Sequence, residues 1–430
     1  MTASPQPTGW FPDPSDAAMA PPHPKDDPFY SYTGKKPLAD ILPGTVLKTR
    51  SVPYHISGLP TLLETTQLLY RSTNQTKNPT VNVTSVIKPR ERRDKTKVIS
   101  YQSAYDSLNQ NDEPSYAISG GQPTLAGVVP NVELGVFGPF LADGYTVIVP
   151  DTEGQRADFA AGPGYGMNTL YSIQAAFNSS AIDSHARVAM LGYSGGALAT
   201  EWAAEYARTY APEVNKRLIG AAMGGVLVHP AHNLHYVEGS TIWAGVMAMA
   251  LVGIARAFQI DFTPYLSDRG IKICNDIQSA SIVDVLGRRY AGLKWKDLAK
   301  PEYPTPESIP LYVETVNKLI MGTGGTPTIP LFIGQGAGGA REGTPGNKPG
   351  IGAGDGVMIA GDVRTLARDY CAAGKTIHYE EYGALSHILS LALWLPNSIA
   401  WIKQRFAESP PPQNCSSIRP GNPIKPIPVP

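Results

Sequence analysis

The sequence predicts an α/β fold, a mostly parallel sheet flanked by helices with an inserted helical cap, and three observations carry that prediction. Strand-like and helix-like segments alternate over residues 83–210, helix formers without a clear strand fill residues 230–320, and strand signals resume at residues 330–333 and 376–382. Alternation of this kind builds parallel strands whose crossovers place helices on both faces of the sheet. At 430 residues the chain exceeds one ordinary core, which fits a large domain carrying an insertion.

In chain order, residues 1–44 read as an extended N-terminal arm, rich in Pro and Asp, with Trp10, Phe11, Phe29 and Tyr30 as candidate anchors. Residues 45–229 form the first part of the core. Its strand candidates are residues 83–88 (VTSVIK), 97–102 (KVISYQ), 146–150 (TVIVP) and 187–191 (RVAML), with helices at 165–177 and 196–210 and an apolar run at 218–228. Residues 230–322 are the expected cap. Its longest apolar run, residues 242–255, is shorter than the roughly 20 residues that span a bilayer and reads as a buried or amphiphilic helix. Residues 323–410 complete the core with strands at 330–333 and 376–382, a helix over 357–373 and a last helix over 387–407, and a Pro-rich tail occupies 411–430.

Composition sets the partner classes. With 42% hydrophobic and 17% charged residues and a formal net charge of zero, the chain is globular and has no basic footprint for nucleic acid or an anionic membrane. The start, MTASPQPTGWFPDPSD, lacks the charged and apolar regions of a signal peptide. Four sequons, at Asn74, Asn82, Asn178 and Asn414, are candidate glycosylation sites and favour a secreted, extracellular protein whose signal peptide is not in this sequence. Three cysteines, Cys274, Cys371 and Cys415, allow one internal disulfide at most.

The chemistry concentrates at Gly192-Tyr193-Ser194-Gly195-Gly196, a G-x-S-x-G run between a buried strand and a helix-forming segment. A serine on such a turn is held in a strained backbone with its hydroxyl projecting from the sheet, and larger residues two positions away on either side would clash. The strand before it and the helix after it set aside the blander reading, a glycine-rich turn with a chance serine. This is the nucleophile elbow of an α/β-hydrolase fold.

A serine hydroxyl needs a base, and the base needs an orienting carboxylate, in the chain order Ser, acid, His. His387 follows the strand 376–382 at a loop-to-helix position, whereas His378 lies within that strand. His229, His232 and His235 in the cap have spacings that suggest a metal but no accompanying carboxylate or cysteine cluster, so no metal is expected there. Among the acids, Asp362 and Asp369 lie within a helical segment and are expected to face solvent. Asp355 opens that segment after a glycine-rich loop and is the candidate acid, with helix N-cap as its alternative role. Gly334-Gln335-Gly336-Ala337-Gly338-Gly339 matches G-x-G-x-x-G, but Pro345 and Pro349 prevent residues 340–350 from opening a helix, so no nucleotide cofactor is expected. The oxyanion donors are the Gly195 amide and, in the absence of an HGGG run, the segment Asp151-Thr152-Glu153-Gly154, which equally suits a turn or cap.

GYSGGALAT, DTEGQRADFAAG and SHILSLALWLPNSIAWIKQRF together resemble the secretory lipase family of fungi and some bacteria, over residues 40–417. The resemblance implies Ser194, Asp355 and His387 as nucleophile, acid and base, and Asp151 as the second oxyanion donor. It further implies a helical cap over an acyl tunnel and no metal cofactor. It also pairs Cys371 with Cys415 and leaves Cys274 free and buried, since Leu108 stands where its family partner would be. The loop 334–354 is longer than the family's. The expected function is therefore hydrolysis of a small-molecule or lipid ester through an acyl-enzyme, with a lipid–water interface as a further partner and no transmembrane segment. The rival readings are an esterase or acyltransferase for a bulky secondary metabolite and a non-catalytic hydrolase-fold binding protein.

Overall fold

The computed structural model describes residues 20–91, 96–121 and 128–430; Trp10 and Phe11, expected as anchors of the arm, lie outside them. Nine strands form one mixed sheet: β1 (Val46–Ile56), β2 (Leu59–Thr73), β3 (Pro79–Ile87), β4 (Lys97–Gln102), β5 (Thr146–Pro150), β6 (Arg187–Tyr193), β7 (Leu218–Gly224), β8 (Leu331–Gly336) and β9 (Ile377–Tyr382). Their order is β1-β2-β3-β5-β4-β6-β7-β8-β9. The first three strands and β5 pair antiparallel. From β5 through β9 every pairing is parallel, which puts β6 near the middle of the parallel part. Strand β1 passes unmarked in the sequence because its polar, alternating residues lie at the half-exposed edge of the sheet, and the first half of β2 beside it is exposed in the same way.

Named helices are α1 (Leu134–Ala142), α2 (Gly162–Asn178), α3 (Gly195–Tyr210), α4 (Pro230–Val237), α5 (Gly245–Phe258), α6 (Asp268–Asp276), α7 (Pro310–Val316), α8 (Ala360–Ala372) and α9 (His387–Phe406). The two-residue period of the strands sorts them onto the two faces. Val188 and Met190 point into a cluster with Leu170 of α2, Trp202 of α3 and Leu366 of α8. Ala189 and Leu191 point the other way, into a cluster with Phe137 of α1 and Trp394 and Trp401 of α9. Each large apolar side chain so buried contributes about 1.5–3 kcal/mol relative to exposure.

Between β7 and β8 the chain forms helices α4 to α7 and short turns, with its own apolar cluster around Trp243, Met247, Leu251 and Tyr312. This segment corresponds to the expected cap, and the apolar run at 242–255 becomes the buried stripe of α5. At the amino end of the described chain, Tyr30 is buried and its hydroxyl lies 2.9 Å from Ser115 Oγ, while the Arg50 guanidinium covers Phe29 at 4.1 Å. At the other end the tail straps core to cap. Asn422 Nδ2 donates to Asp362 Oδ1 at 2.7 Å, and Asn317 and Ile427 exchange two hydrogen bonds of 2.8 Å each. Cys371 and Cys415 form a disulfide, and Cys274 is buried and unpaired.

Two sequence expectations need correction here. The helix expected over 357–373 begins at Ala360, with Ile359 rather than Asp355 at its N-cap. Asp362, expected to face solvent, is buried, because His232 Nδ1 at 2.9 Å and Asn422 satisfy its two oxygens.

Candidate active site

Ser194 is the single residue between the end of β6 and the start of α3, so the chain reverses within one residue. Its backbone sits at φ 56° and ψ −121°, a sparsely populated region for a residue with a side chain. The turn is this tight because its flanks are glycines: a Cβ on Gly192 would stand 2.1 Å from the Gly196 carbonyl, and one on Gly196 would stand 2.1 Å from the Gln102 carbonyl. The strain is held by pairing, with the Ser194 amide donating to Gly224 on β7 at 2.8 Å and its carbonyl accepting from Ala197 and Leu198.

The structure brings Ser194, His387 and Asp355 together. Ser194 Oγ lies 2.8 Å from His387 Nε2, and His387 Nδ1 lies 2.7 Å from Asp355 Oδ2. The His387 amide also donates to the Asp355 carbonyl at 2.7 Å. Asp355 is fully buried, and its charge is met by N–H donors: Val357 and Met358 amides on Oδ1 at 3.1 and 2.7 Å, and Gln335 Nε2 on Oδ2 at 3.0 Å. The ring of Tyr193 stands 5.2 Å from the imidazole, and its hydroxyl donates to the His387 carbonyl at 2.6 Å. Burial pulls the His387 imidazole down, but the Asp355 charge and hydrogen bond, with Glu342 and Asp106 beyond, hold its pKa above the ordinary value.

Asp151 does not join this group. Its amide donates to Val83 in the sheet at 3.1 Å, and its buried carboxyl accepts from the Ser115 amide and hydroxyl at 2.8 and 2.6 Å. The residue beside the elbow is Asp106, in the loop after β4. A Cβ on Gly195 would stand 1.8 Å from Asp106 Oδ1, and among the described residues the Asp106 amide has no acceptor. Asp106 sits at φ 36°, and its carbonyl accepts from Ile282 of the cap at 2.9 Å. Burial pushes its carboxyl up to about 7, against the lowering effects of His387 and the Gly195 amide. Sequence reading missed Asp106 because the choice depends on strand order. Strand β4, not β5, is the neighbour of the nucleophile strand, and the loop after it sets its aspartate against Gly195.

Above Ser194 lies an apolar cavity of about 240 Å³, walled by Phe159, Leu234, Trp243, Met247, Leu251 and Tyr312 among others. Most of these side chains come from the cap, so the pocket is formed where cap meets core. The other expected candidates lie elsewhere. His378 is on β9 beside Glu380. In the cap, His229 and His232 stack at 3.8 Å, and burial and His232 lower His229 to about 4. His235 is raised to about 9 by hydrogen bonds to Glu238 and Glu307. His232 and His235 thus do have carboxylate neighbours, Asp362 for the first and Glu238 and Glu307 for the second, and no group of three or more His, Cys, Asp or Glu suited to a metal occurs among the described residues.

Of the four sequons, Asn82 is excluded as a glycan acceptor in the folded chain. It is fully buried and its Nδ2 donates to Tyr70 and to the Asp151 carbonyl. Asn414 and Asn178 also spend Nδ2 on backbone carbonyls, of Tyr379 and Gly44. Asn74 uses its Oδ1 in a local turn.

Comparison with known proteins adds to this geometry. The secretory lipase family model matches residues 122–340. Lipase 4 of Candida albicans is 30% identical over 421 residues, covering 93% of this chain and 85% of its own. A probable inactive lipase of Mycobacterium tuberculosis is likewise 30% identical, over 399 residues and 90% of this chain, 83% of its own. Among solved structures, Candida antarctica lipase A in its closed state superposes with a TM-score of 0.77 at 26% identity, covering 94% of this chain and 91% of that one. Family model, full-length relatives and fold agree: the chain belongs to the secretory lipase family, carboxylic ester hydrolases of the α/β-hydrolase fold.

Proposed function

We propose that this chain hydrolyses carboxylic esters by two-step acyl transfer, with Ser194 as nucleophile, His387 as base and Asp355 as its orienting acid. The observation that carries this reading is the continuous hydrogen-bonded line from Ser194 Oγ through both imidazole nitrogens to Asp355, at 2.8 and 2.7 Å, on the floor of the apolar cavity. His387 takes the hydroxyl proton as Ser194 Oγ attacks the ester carbonyl, and returns it to the departing alcohol. Water, activated by the same imidazole, then releases the acid. The amides of Gly195 and Asp106 stabilise the oxyanion, and loss of one such donor costs about 10² to 10³ in turnover.

The apolar cavity suits the acyl chain of a lipid ester. Its mouth continues onto the first turns of α9, where Ile388, Leu389 and Leu393 are 61%, 48% and 52% exposed; Ile388 also lines the cavity. An insoluble ester phase would meet the enzyme there. Secretion fits the sequons and the disulfide, since disulfides persist outside the cytosol; among the described residues no helix is long and apolar enough to cross a membrane. The test is hydrolysis of p-nitrophenyl esters from acetate to palmitate by the wild type and by Ser194→Ala. Loss of turnover in the variant at every length supports the assignment, and retained turnover defeats it. A wild type inert at every length would favour a narrow metabolite ester or a binding role.

A further inference from the structure

Glu342 ends the short turn Gly339–Glu342 after β8 and is buried, 6% exposed. Its two oxygens take donors from separate parts of the molecule. Oε1 accepts the Ile388 amide at 3.1 Å, in the first turn of α9 directly after His387, and Oε2 accepts the Trp243 indole N–H of the cap at 2.8 Å. That indole stands edge-on to the His387 ring, centroids 5.4 Å apart at 83°. The arrangement is closed from behind by Gly356, where a Cβ would stand 2.9 Å from both Glu342 Oε2 and Trp243 Nε1. The same turn grips the cap backbone, as the Gly343 carbonyl accepts the Thr241 amide at 3.2 Å.

A carboxylate is an expensive choice for these tasks. Capping a helix amide or accepting an indole N–H needs only a neutral oxygen, and Ser386, at the N-cap of α9, makes no side-chain cap bond of its own. Among the described residues no Lys or Arg forms an ion pair with Glu342. What a carboxylate adds here is negative charge beside the imidazole. On the reading of His387 as the base, we propose that Glu342 is a positioning residue for the reaction: it seats Trp243 of the cap against the imidazole and supplies a second carboxylate that strengthens the base. Cap seating and base strength are then set by one side chain.

The charged or titratable groups facing His387 are Asp355 on its Nδ1 side, Glu342 beside its helix and Asp106 from the loop after β4, with the Tyr193 ring against its plane. Removing the Glu342 charge therefore weakens the base without touching Asp355. The experiment compares wild type, Glu342→Gln, Glu342→Asp and Trp243→Phe for kcat and KM on p-nitrophenyl butyrate between pH 4 and 9, with active sites counted by a phosphonate that labels Ser194. The acid limb of kcat/KM reports the free enzyme's base. In Glu342→Gln it is expected to move to lower pH by about half a unit, a threefold shift in the rate ratio along that limb. In Glu342→Asp it stays near the wild-type position. Trp243→Phe leaves the limb in place and raises KM severalfold, because the ring remains while its tether is lost. An unmoved limb in Glu342→Gln, with active sites still titratable, overturns the proposal, as does an equal shift in Glu342→Asp. Failure of the triad itself is read separately, as retained turnover in Ser194→Ala.

Discussion

Two buried aspartates meet the Ser194–His387 pair from different loops, and the protein surrounds their carboxyls differently. Asp355 accepts from two backbone amides, Gln335 and the imidazole, so every lone-pair direction of its carboxylate is met by an N–H. Asp106 is also buried, but burial and the nearby Glu133 outweigh His387 and the Gly195 amide, and its carboxyl is pushed up to about 7. On the proposed mechanism the difference matches the tasks: a group that steadies an imidazolium serves as an anion, whereas a group pressed against an oxyanion donor serves when neutral. Donor count, more than burial, separates the two carboxyl environments.

The contrast is broken most severely by Asp355→Asn, which keeps the shape but offers an amide where His387 needs an acceptor. About 10⁴ in kcat should be lost, with little change in KM, measured on a soluble ester. Next comes Gly195→Ala, whose methyl would stand 1.8 Å from Asp106 Oδ1 and must displace it. Turnover is expected to fall about 10² to 10³, as for loss of an oxyanion donor, and an unchanged kcat would remove Asp106 from the site. Gln335→Leu deletes one charged-acceptor bond to Asp355 and strands the Val226 amide that Gln335 Oε1 now accepts at 3.1 Å. A cost of about 2 kcal/mol predicts roughly thirtyfold lower kcat together with a reduced Tm.

The same contrast explains which parts of the site are legible in the sequence. The elbow is legible because its constraints are local: strand, glycine, serine, glycine and helix lie within ten residues, and each forbids alternatives by sterics. His387 and Asp355 are legible from chain order together with the family resemblance, although Asp355 sits in a loop ahead of α8 rather than at its cap. Asp106 is not legible, since DTEG and SAYDS both follow strands and only the sheet order β5-β4-β6 shows which loop reaches Ser194. Burial of Asp362 and Asn82 is hidden for a related reason. Their partners, His232 and Tyr70, are set by tertiary packing that no local pattern announces.

The smallest expected effect is also the sharpest test of the two-aspartate contrast, because it concerns pH rather than presence of activity. If a neutral Asp106 is the productive form, wild-type turnover falls as pH rises through about 7, and at pH 8 only about a tenth of the enzyme retains the proton. Asp106→Asn, neutral at every pH, should then exceed the wild type about tenfold at pH 8 while matching it near pH 5.5. Stability follows the same sign. The folded value lies above the unfolded one, so the protonated carboxyl favours the folded state fully below about 3.8, and that advantage is lost as pH rises through about 7. Asp106→Asn should therefore melt with the wild type at pH 4 and above it at pH 8. Parallel pH profiles for the two enzymes would show that Asp106 does not titrate in this range, and would remove the pH switch from the comparison.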